Sequence, residues 1–207
     1  MIRAGKTKWD DKRDASYNAL VRSAMHSFQI KGYAATTVAD IVAGTGYTAG
    51  AFYHLFTNKA DCFWHVIASR ERLRGDWSKL AQEVDPSTTP LEQLLERVFG
   101  HFATSPDGLT EWVLVMVDFH QQHRDDTEAM AKLAGTYVRW RDEAARFVEA
   151  PRANGWIATQ TDSQLVAQEV FAYAEGTIVH TTLYGGAENA ARARRALLDG
   201  LVKLLRN

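Results

Sequence analysis

The stretch TVADIVAGTGYTAGAFYHLF, residues Thr37–Phe56, decides the fold. Thr37 followed three residues later by Asp40 has the form of a capping box, in which the hydroxyl takes an orphan helix amide and the carboxylate reaches back. Val38, Ile41 and Val42 lie at i, i+3 and i+4, the spacing of one buried helix face. Gly44, Thr45 and Gly46 then stop the helix, with Gly46 free to adopt the positive φ that a sharp change of direction requires. Thr48 is placed to cap a second short helix. Its buried side is Ala51, Phe52, Leu55 and Phe56, which leaves Tyr47, Thr48, Ala49, Gly50, Tyr53 and His54 outward. Helix, glycine-bearing turn, helix is the pattern of a helix-turn-helix, whose second helix enters the DNA major groove. Taken by periodicity alone, the same pattern also describes an ordinary helical hairpin.

Gly32-Tyr33, Thr36-Thr37, Ile41, Gly46, Tyr53, Phe56 and Lys59, in this order and spacing, closely resemble the N-terminal DNA-binding domain of the TetR family of bacterial transcriptional regulators. Many positions agree at once across the first third of the chain. The remainder agrees in length and helical character. Two residues depart from the family's pattern: Tyr47 stands where a small aliphatic residue is usual, and Ala49 where a longer polar or basic one is common. The resemblance implies an all-α protein, with a three-helix helix-turn-helix domain followed by a helical ligand-binding and dimerisation domain. It also implies a homodimer, a double-stranded DNA operator and a small-molecule effector as partners.

Upstream, Leu20, Val21, Ala24, Met25 and Phe28 make a helical stripe from about Asp14, and Gly32 ends it. This helix completes the three-helix unit, with Phe28, Ile41, Phe52 and Phe56 as its core. Residues 1–13 are polar and carry Arg3, Lys6, Lys8, Lys12 and Arg13. They read as a disordered arm, either a minor-groove or phosphate follower or a solvated tail. Residues 1–60 hold eight Lys and Arg against four Asp and Glu, whereas the rest holds sixteen against twenty-one. Basic charge is thus concentrated at the end that would meet phosphate.

Asn58 with Asp61 starts another helix, which puts Lys59 in a first turn suited to a backbone phosphate. The apolar face continues through Phe63, Trp64, Ile67 and Ala68, and the pattern runs to about Gln82, a helix long enough to join the head to the body. The DNA-facing set is therefore Thr37, Tyr47, Thr48, Ala49, Gly50, Tyr53, His54 and Lys59. No Arg, Asn or Gln lies on the second helix, so the strong bidentate base contacts are absent there. Thymine methyls would meet Thr48 or Ala49, His54 a base or phosphate, and Tyr53 and Lys59 phosphates.

Asp85–Pro90 is the clearest break, and the domains are read as 1–60 for DNA binding and 61–207 for effector binding and dimerisation. Thr89, Pro90 and Glu92 form a helix start with Thr89 as cap. Beyond it, Leu91, Leu94, Leu95, Val98, Phe99 and Phe102 give one stripe. Trp112, Met116, Phe119, His120 and His123 give the next, and Met130 to Val148 a third that runs until Pro151 and Gly155. Leu165–Leu183 is apolar on more than one face and needs two neighbours. After Gly185-Gly186, leucines from Leu197 to Leu205 close the chain. Trp112, Phe119, His120, Tyr137, Trp140 and Phe171 are the candidate walls of a ligand cavity, with His120 as the orienting hydrogen-bond partner. An aromatic stripe at this spacing also describes plain core. The last two helices are the candidate dimer interface.

The 207 residues, 46% hydrophobic, can bury a sizeable core in one or two domains. Cys62 is the sole cysteine, so no intrachain disulfide is possible and a cytoplasmic setting is expected. No leader pattern and no membrane-length apolar run is present. His120 and His123 at i, i+3 are a poor metal pair without further ligands. Neither a phosphate-binding glycine loop nor a nucleophile elbow occurs, so no enzyme activity, metal or cofactor is expected. The reading is a sequence-specific DNA-binding regulator, a repressor released by an apolar or aromatic ligand. The alternative is a helical protein-interaction module that does not bind DNA.

Overall fold

The computed structural model describes residues 8–74, 84–85, 87–104, 109–153, 155–157, 162–184 and 187–206. All regular structure among them is helical: α1 (Lys8–Ala35), α2 (Val38–Val42), α3 (Ala49–Leu55), α4 (Lys59–Arg74), α5 (Leu91–Thr104), α6 (Leu109–His123), α7 (Thr127–Ala153), α8 (Ser163–Tyr184) and α9 (Ala187–Arg206). The chain forms two compact units, Met1–Gly75 and Asp76–Asn207. The start of the arm through Thr7, the run from Gly75 to Gln82, and the breaks at Ser105–Gly108 and Gly185-Gly186 lie outside the described residues.

In the first unit α1 begins at Lys8, so the later part of the basic arm, Lys8–Arg13, is helical rather than disordered. The regular helix is interrupted at Gly32, whose φ of 80° and ψ of 168° swing the chain toward α2. A side chain there would be strained by the left-handed φ itself. Leu20, Val21, Ala24, Met25 and Phe28 of α1 are buried with Ile41, Phe52 and Phe56, as their spacing requires. The core is larger than those residues, because Cys62, Phe63, Val66 and Ile67 of α4 are equally buried. This explains why the compact unit ends after Gly75 and not near residue 60. Phe63 makes edge contacts with Phe28 and Tyr33 at centroid separations of 5.9 and 5.3 Å. Burying each such ring stabilises the unit by about 1.5–3 kcal/mol. A second link runs from the Tyr17 hydroxyl on α1 to His65 Nδ1 on α4, 3.1 Å apart.

In the second unit Asp85 organises the entry to α5. Its carboxylate accepts from the Ser87 amide and hydroxyl at 2.8 and 2.7 Å, and its carbonyl accepts the Thr89 amide. The helix starts one residue later than the sequence implies. Leu94 N–H bonds to the Pro90 carbonyl, which makes Pro90 the cap, while the Thr89 carbonyl accepts the Trp156 indole at 3.0 Å. Pro151 is accommodated inside the last turn of α7. Closure follows at Gly155 (φ +76°), where Gly155 N–H reaches Arg152 O and Trp156 N–H reaches Pro151 O, the two bonds of a Schellman termination. α8 packs against α6, α7 and α9, and α9 against α5, so the helix that is apolar on several sides has several neighbours. Leu94, Leu95, Phe147, Val148, Val166, Ala167, Leu201 and Leu205 are among the buried side chains of this core.

Candidate nucleic-acid interface

The α2–α3 element is built by its caps. Thr37 Oγ1 accepts the Asp40 amide at 3.2 Å, and Asp40 Oδ2 accepts the Thr37 amide at 2.9 Å and its hydroxyl at 2.7 Å. The capping box is thus closed in both directions. Lys31 from the end of α1 donates to the other carboxylate oxygen of Asp40 at 2.5 Å. Lys31 first, and Thr37 after it, hold the Asp40 carboxyl well below the usual carboxylate range.

Between the helices Gly44 and Gly46 both have left-handed φ, +72° and +77°, with open space where a Cβ would stand. Backbone conformation, not crowding, selects glycine at these two positions. Thr45 fixes the turn by donating its hydroxyl to Val42 O and accepting the Tyr47 amide. Thr48 then caps α3 by accepting the Ala51 amide at 3.3 Å.

Phe52 and Phe56 anchor α3 with no appreciable exposure. The opposite face presents Thr48, Ala49, Gly50, Tyr53 and His54 to solvent, Tyr53 at 59% exposure. Thr37 is exposed beside them and Tyr47 is half-buried. Seven of the eight residues read as DNA-facing therefore lie on α3, its approach, or the α2 cap, and none is fully buried.

Lys59 differs from the expectation. Its ammonium turns inward and donates to the carbonyls of Tyr33, Thr36 and Ala34 at 2.8, 2.8 and 3.2 Å. It also lies over the Tyr33 ring. An ammonium has three N–H donors, and three carbonyls at the end of α1 now take them. Those carbonyls are the ones a terminating helix leaves without internal partners, and the cation suits the negative end of the helix dipole. In this conformation the side chain is a clasp between α4 and the end of α1.

The residues proposed for effector binding differ in burial. Trp112 and Phe119 on α6 are buried. Tyr137 and Trp140 on α7 and Phe171 on α8 are half-buried. His120 is exposed, which corrects its placement inside the apolar stripe. One residue past Phe119 the helix has turned by about 100°, so the inward position belongs to His123. Its ring stacks on Phe119 at 4.4 Å and 27°. The sequence reading missed Glu175, a half-buried acid on α8 whose carboxyl is pushed up by burial, with the Tyr137 hydroxyl opposing that shift. Its signal was available: no other Asp, Glu, Lys or Arg occurs between Glu169 and Glu188. Among the described residues no group of three or more His, Cys, Asp or Glu is placed to hold a metal. None of their helices is long and apolar enough to cross a membrane.

A helical head carrying a doubly capped helix-turn-helix, followed by a separate helical unit, defines the class of two-domain helix-turn-helix transcriptional regulators. Residues 20–66 match the bacterial regulatory proteins of the tetR family, and residues 115–197 match the tetracyclin repressor-like C-terminal domain. The chain belongs to the TetR family and is a DNA-binding transcriptional regulator. Its relatives are regulators too, not enzymes, and a protein-interaction module without DNA binding is not favoured. It is 24% identical to the transcriptional regulator AcuR of Cereibacter sphaeroides over 186 residues, 87% of this chain and 83% of that one. It is 25% identical to the HTH-type transcriptional regulator TtgR of Pseudomonas putida over 77% of this chain and 76% of that one.

The fold is similar to that of a putative TetR-family regulator from Rhodococcus sp., with a TM-score of 0.69 at 17% identity, covering 93% of this chain and 99% of that one. It is also similar to SmeT, the repressor of the Stenotrophomonas maltophilia multidrug efflux pump SmeDEF. There the TM-score is 0.64 at 18% identity, covering 90% of this chain and 88% of that one.

Proposed function

We propose that the protein is a cytoplasmic homodimeric repressor that leaves a near-palindromic operator when a small molecule binds its C-terminal unit. The observation that carries the DNA-reading part is the face of α3. Small exposed residues, Thr48, Ala49 and Gly50, stand over a fully buried Phe52 and Phe56, so a rigid support offers a low-relief surface for close approach to base edges. Tyr47 and Thr48 read bases, the latter with Ala49 against thymine methyls, His54 touches a base or phosphate, and Thr37 and Tyr53 meet phosphates.

Dimerisation is supported by α8, which leaves Leu165, Tyr173 and Leu183 exposed at 54, 41 and 76% in the isolated chain. Apolar residues repeated along one helix mark an association surface better than scattered ones do. Two copies related by a two-fold axis would present their heads to half-sites about 34–36 Å apart, or a multiple of that spacing. The name of the similar SmeT, a repressor, favours repression. Ligand release is linkage: a molecule that prefers the DNA-incompetent arrangement draws the dimer away from DNA.

A gel shift with the promoter of the protein's own transcription unit tests the reading, with light scattering on the same sample. Salt-sensitive binding by a dimer to a near-palindrome is expected. A stable monomer at micromolar concentration that still binds tightly would refute the dimeric arrangement, and no salt-dependent DNA affinity would refute the function.

A further inference from the structure

α3 has seven residues, Ala49–Leu55, too few to hold a helix by themselves. What fixes its two ends therefore decides how it meets DNA. Thr48 caps the first end. At the other end the chain leaves the helix abruptly, with Phe56 extended at φ −132° and ψ 135°. Tyr53 and His54, two of the residues read as DNA-facing, lie in that last turn. The exit is held from two other helices. Asp61 on α4 accepts the Thr57 amide through Oδ2 at 2.9 Å. One turn on, the His65 ring meets the Phe56 ring at a centroid separation of 5.2 Å and 60°. The Tyr17 ring of α1 lies 5.8 Å from the same Phe56.

His65 joins these supports. Its Nε2 faces Asp61 Oδ1 at 3.7 Å, and its Nδ1 lies 3.1 Å from the Tyr17 hydroxyl. A carboxylate on the Nε2 side favours the tautomer with its proton there, which leaves Nδ1 as the acceptor for the Tyr17 O–H. A phenylalanine would pack on Phe56 as well. Only the imidazole also fixes direction, because a hydrogen bond weakens steeply as its angle departs from linear.

We propose that His65 is a positioning residue for the recognition helix. Held by Tyr17 and facing Asp61, it sets where the C-terminal end of α3 stands, and with it Tyr53 and His54 at the DNA surface. It acts through Phe56 and not by contact with DNA. The proposal rests on the reading of α3 as the base-contacting helix.

The DNA probe is the duplex that the natural full-length protein enriches from a random-sequence pool, with a shuffled duplex of the same composition as comparison. His65→Phe keeps a ring against Phe56 and loses both nitrogens, whereas Tyr17→Phe loses only the hydroxyl. Each should weaken binding of the selected duplex by about fivefold, the scale of one ordinary net hydrogen bond. The double variant should lose no more than either single one, since both break the same link. Binding of the shuffled duplex, which rests on phosphate contacts, should stay within about twofold. His65→Asn, whose side-chain oxygen can stand in for Nδ1 and accept from Tyr17, should recover the loss. In the free protein, amide exchange at Phe56, whose N–H bonds to Phe52 O at 2.9 Å, should quicken in both phenylalanine variants. Exchange at Phe28, in the core of α1, should keep its rate.

A folded His65→Phe protein that keeps the full preference for the selected duplex overturns the proposal and leaves the reading of α3 standing. Where His65→Phe does not fold, Tyr17→Phe carries the same comparison. Equal quickening at Phe56 and Phe28, the mark of a general loss of stability, overturns it too, as does a His65→Asn protein as impaired as His65→Phe. If the natural protein enriches no sequence from the pool, the reading of α3 fails and this proposal with it.

Discussion

The Nζ of Lys59 lies 4.4 Å above the centroid of the Tyr33 ring while donating to that residue's own carbonyl. One side chain therefore holds both the ring and the backbone at the end of α1, from the first turn of α4. The ring in turn packs on Phe28 at 5.5 Å, so the clasp reaches the centre of the head. Lys59→Ala is expected to destabilise the head by roughly 2 kcal/mol, the scale of hydrogen bonds to a charged group. Urea unfolding followed by circular dichroism would show it. Unchanged stability, with the salt dependence of DNA binding reduced by about 1 per half-site, would return Lys59 to a phosphate-contacting role.

Thr37→Ala removes the acceptor for the Asp40 amide and should cost about 1 kcal/mol, the usual effect of losing an N-cap. Asp40→Asn additionally breaks the ion pair with Lys31. Because the folded pKa of Asp40 is lowered, its contribution is present above the ordinary carboxylate pKa and is lost as pH falls through the folded value. The difference between natural protein and Asp40→Asn, measured by denaturation, should shrink on acidification and not on raising the pH.

Gly50 separates folding from recognition. A Cβ there would meet only Thr48 Oγ1 at an ordinary 3.5 Å, and alanine is better than glycine inside a helix by roughly 0.5–1 kcal/mol. Gly50→Ala should leave the free protein as stable or more so, yet weaken operator binding. Gly50→Leu should abolish binding with the circular dichroism spectrum intact. Tight binding by Gly50→Leu would mean that this backbone does not approach the bases.

Glu175→Gln should raise the melting temperature by a few degrees at neutral pH. Burial raises the folded pKa of Glu175, so its ionised form opposes folding above that pKa, and the opposition disappears as pH falls through it. The gain should fade in acid. A variant less stable than the natural chain at neutral pH would show that the ionised carboxylate is compensated within the fold.

Cys62 is buried, and burial first, then Asp61, pushes its thiol up to about 12. Thiolate, not thiol, reacts with disulfide reagents. Ellman's reagent should label it only at the rate of unfolding, and fast labelling of native protein would contradict its position.

What the sequence revealed and what it withheld follow from distance along the chain. The capping box at Thr37, the cap at Thr48 and the stops at Gly32, Gly44 and Gly46 use neighbours within a few residues, so spacing alone exposes them. Lys59 bonds to carbonyls 23 to 26 positions away, and backbone acceptors carry no sequence signature. His120 failed for a geometric reason, since both histidines fit an apolar stripe loosely and the exposure of Leu114 and Val117 shows where its edge falls. Glu175 was legible as the one charged residue between Glu169 and Glu188, but its burial depends on helices distant in sequence. The recognition face was read from exposure expected of α3, and the structure exposes those residues. What they touch on DNA is a matter for the variants above.

A Cβ on Gly200 of α9 would collide with the Tyr173 ring of α8, whose hydroxyl donates to the Ala196 carbonyl at 3.0 Å. The ring works as a key in a slot that only glycine leaves open. Sliding either helix along its axis would drive a neighbouring side chain into the key, whereas a small rocking about the ring leaves both the slot and the hydrogen bond in place. Motion between these two helices is thereby reduced toward a single pivoting freedom, and a change at one end of α8 would reach α9 as tilt and not as travel.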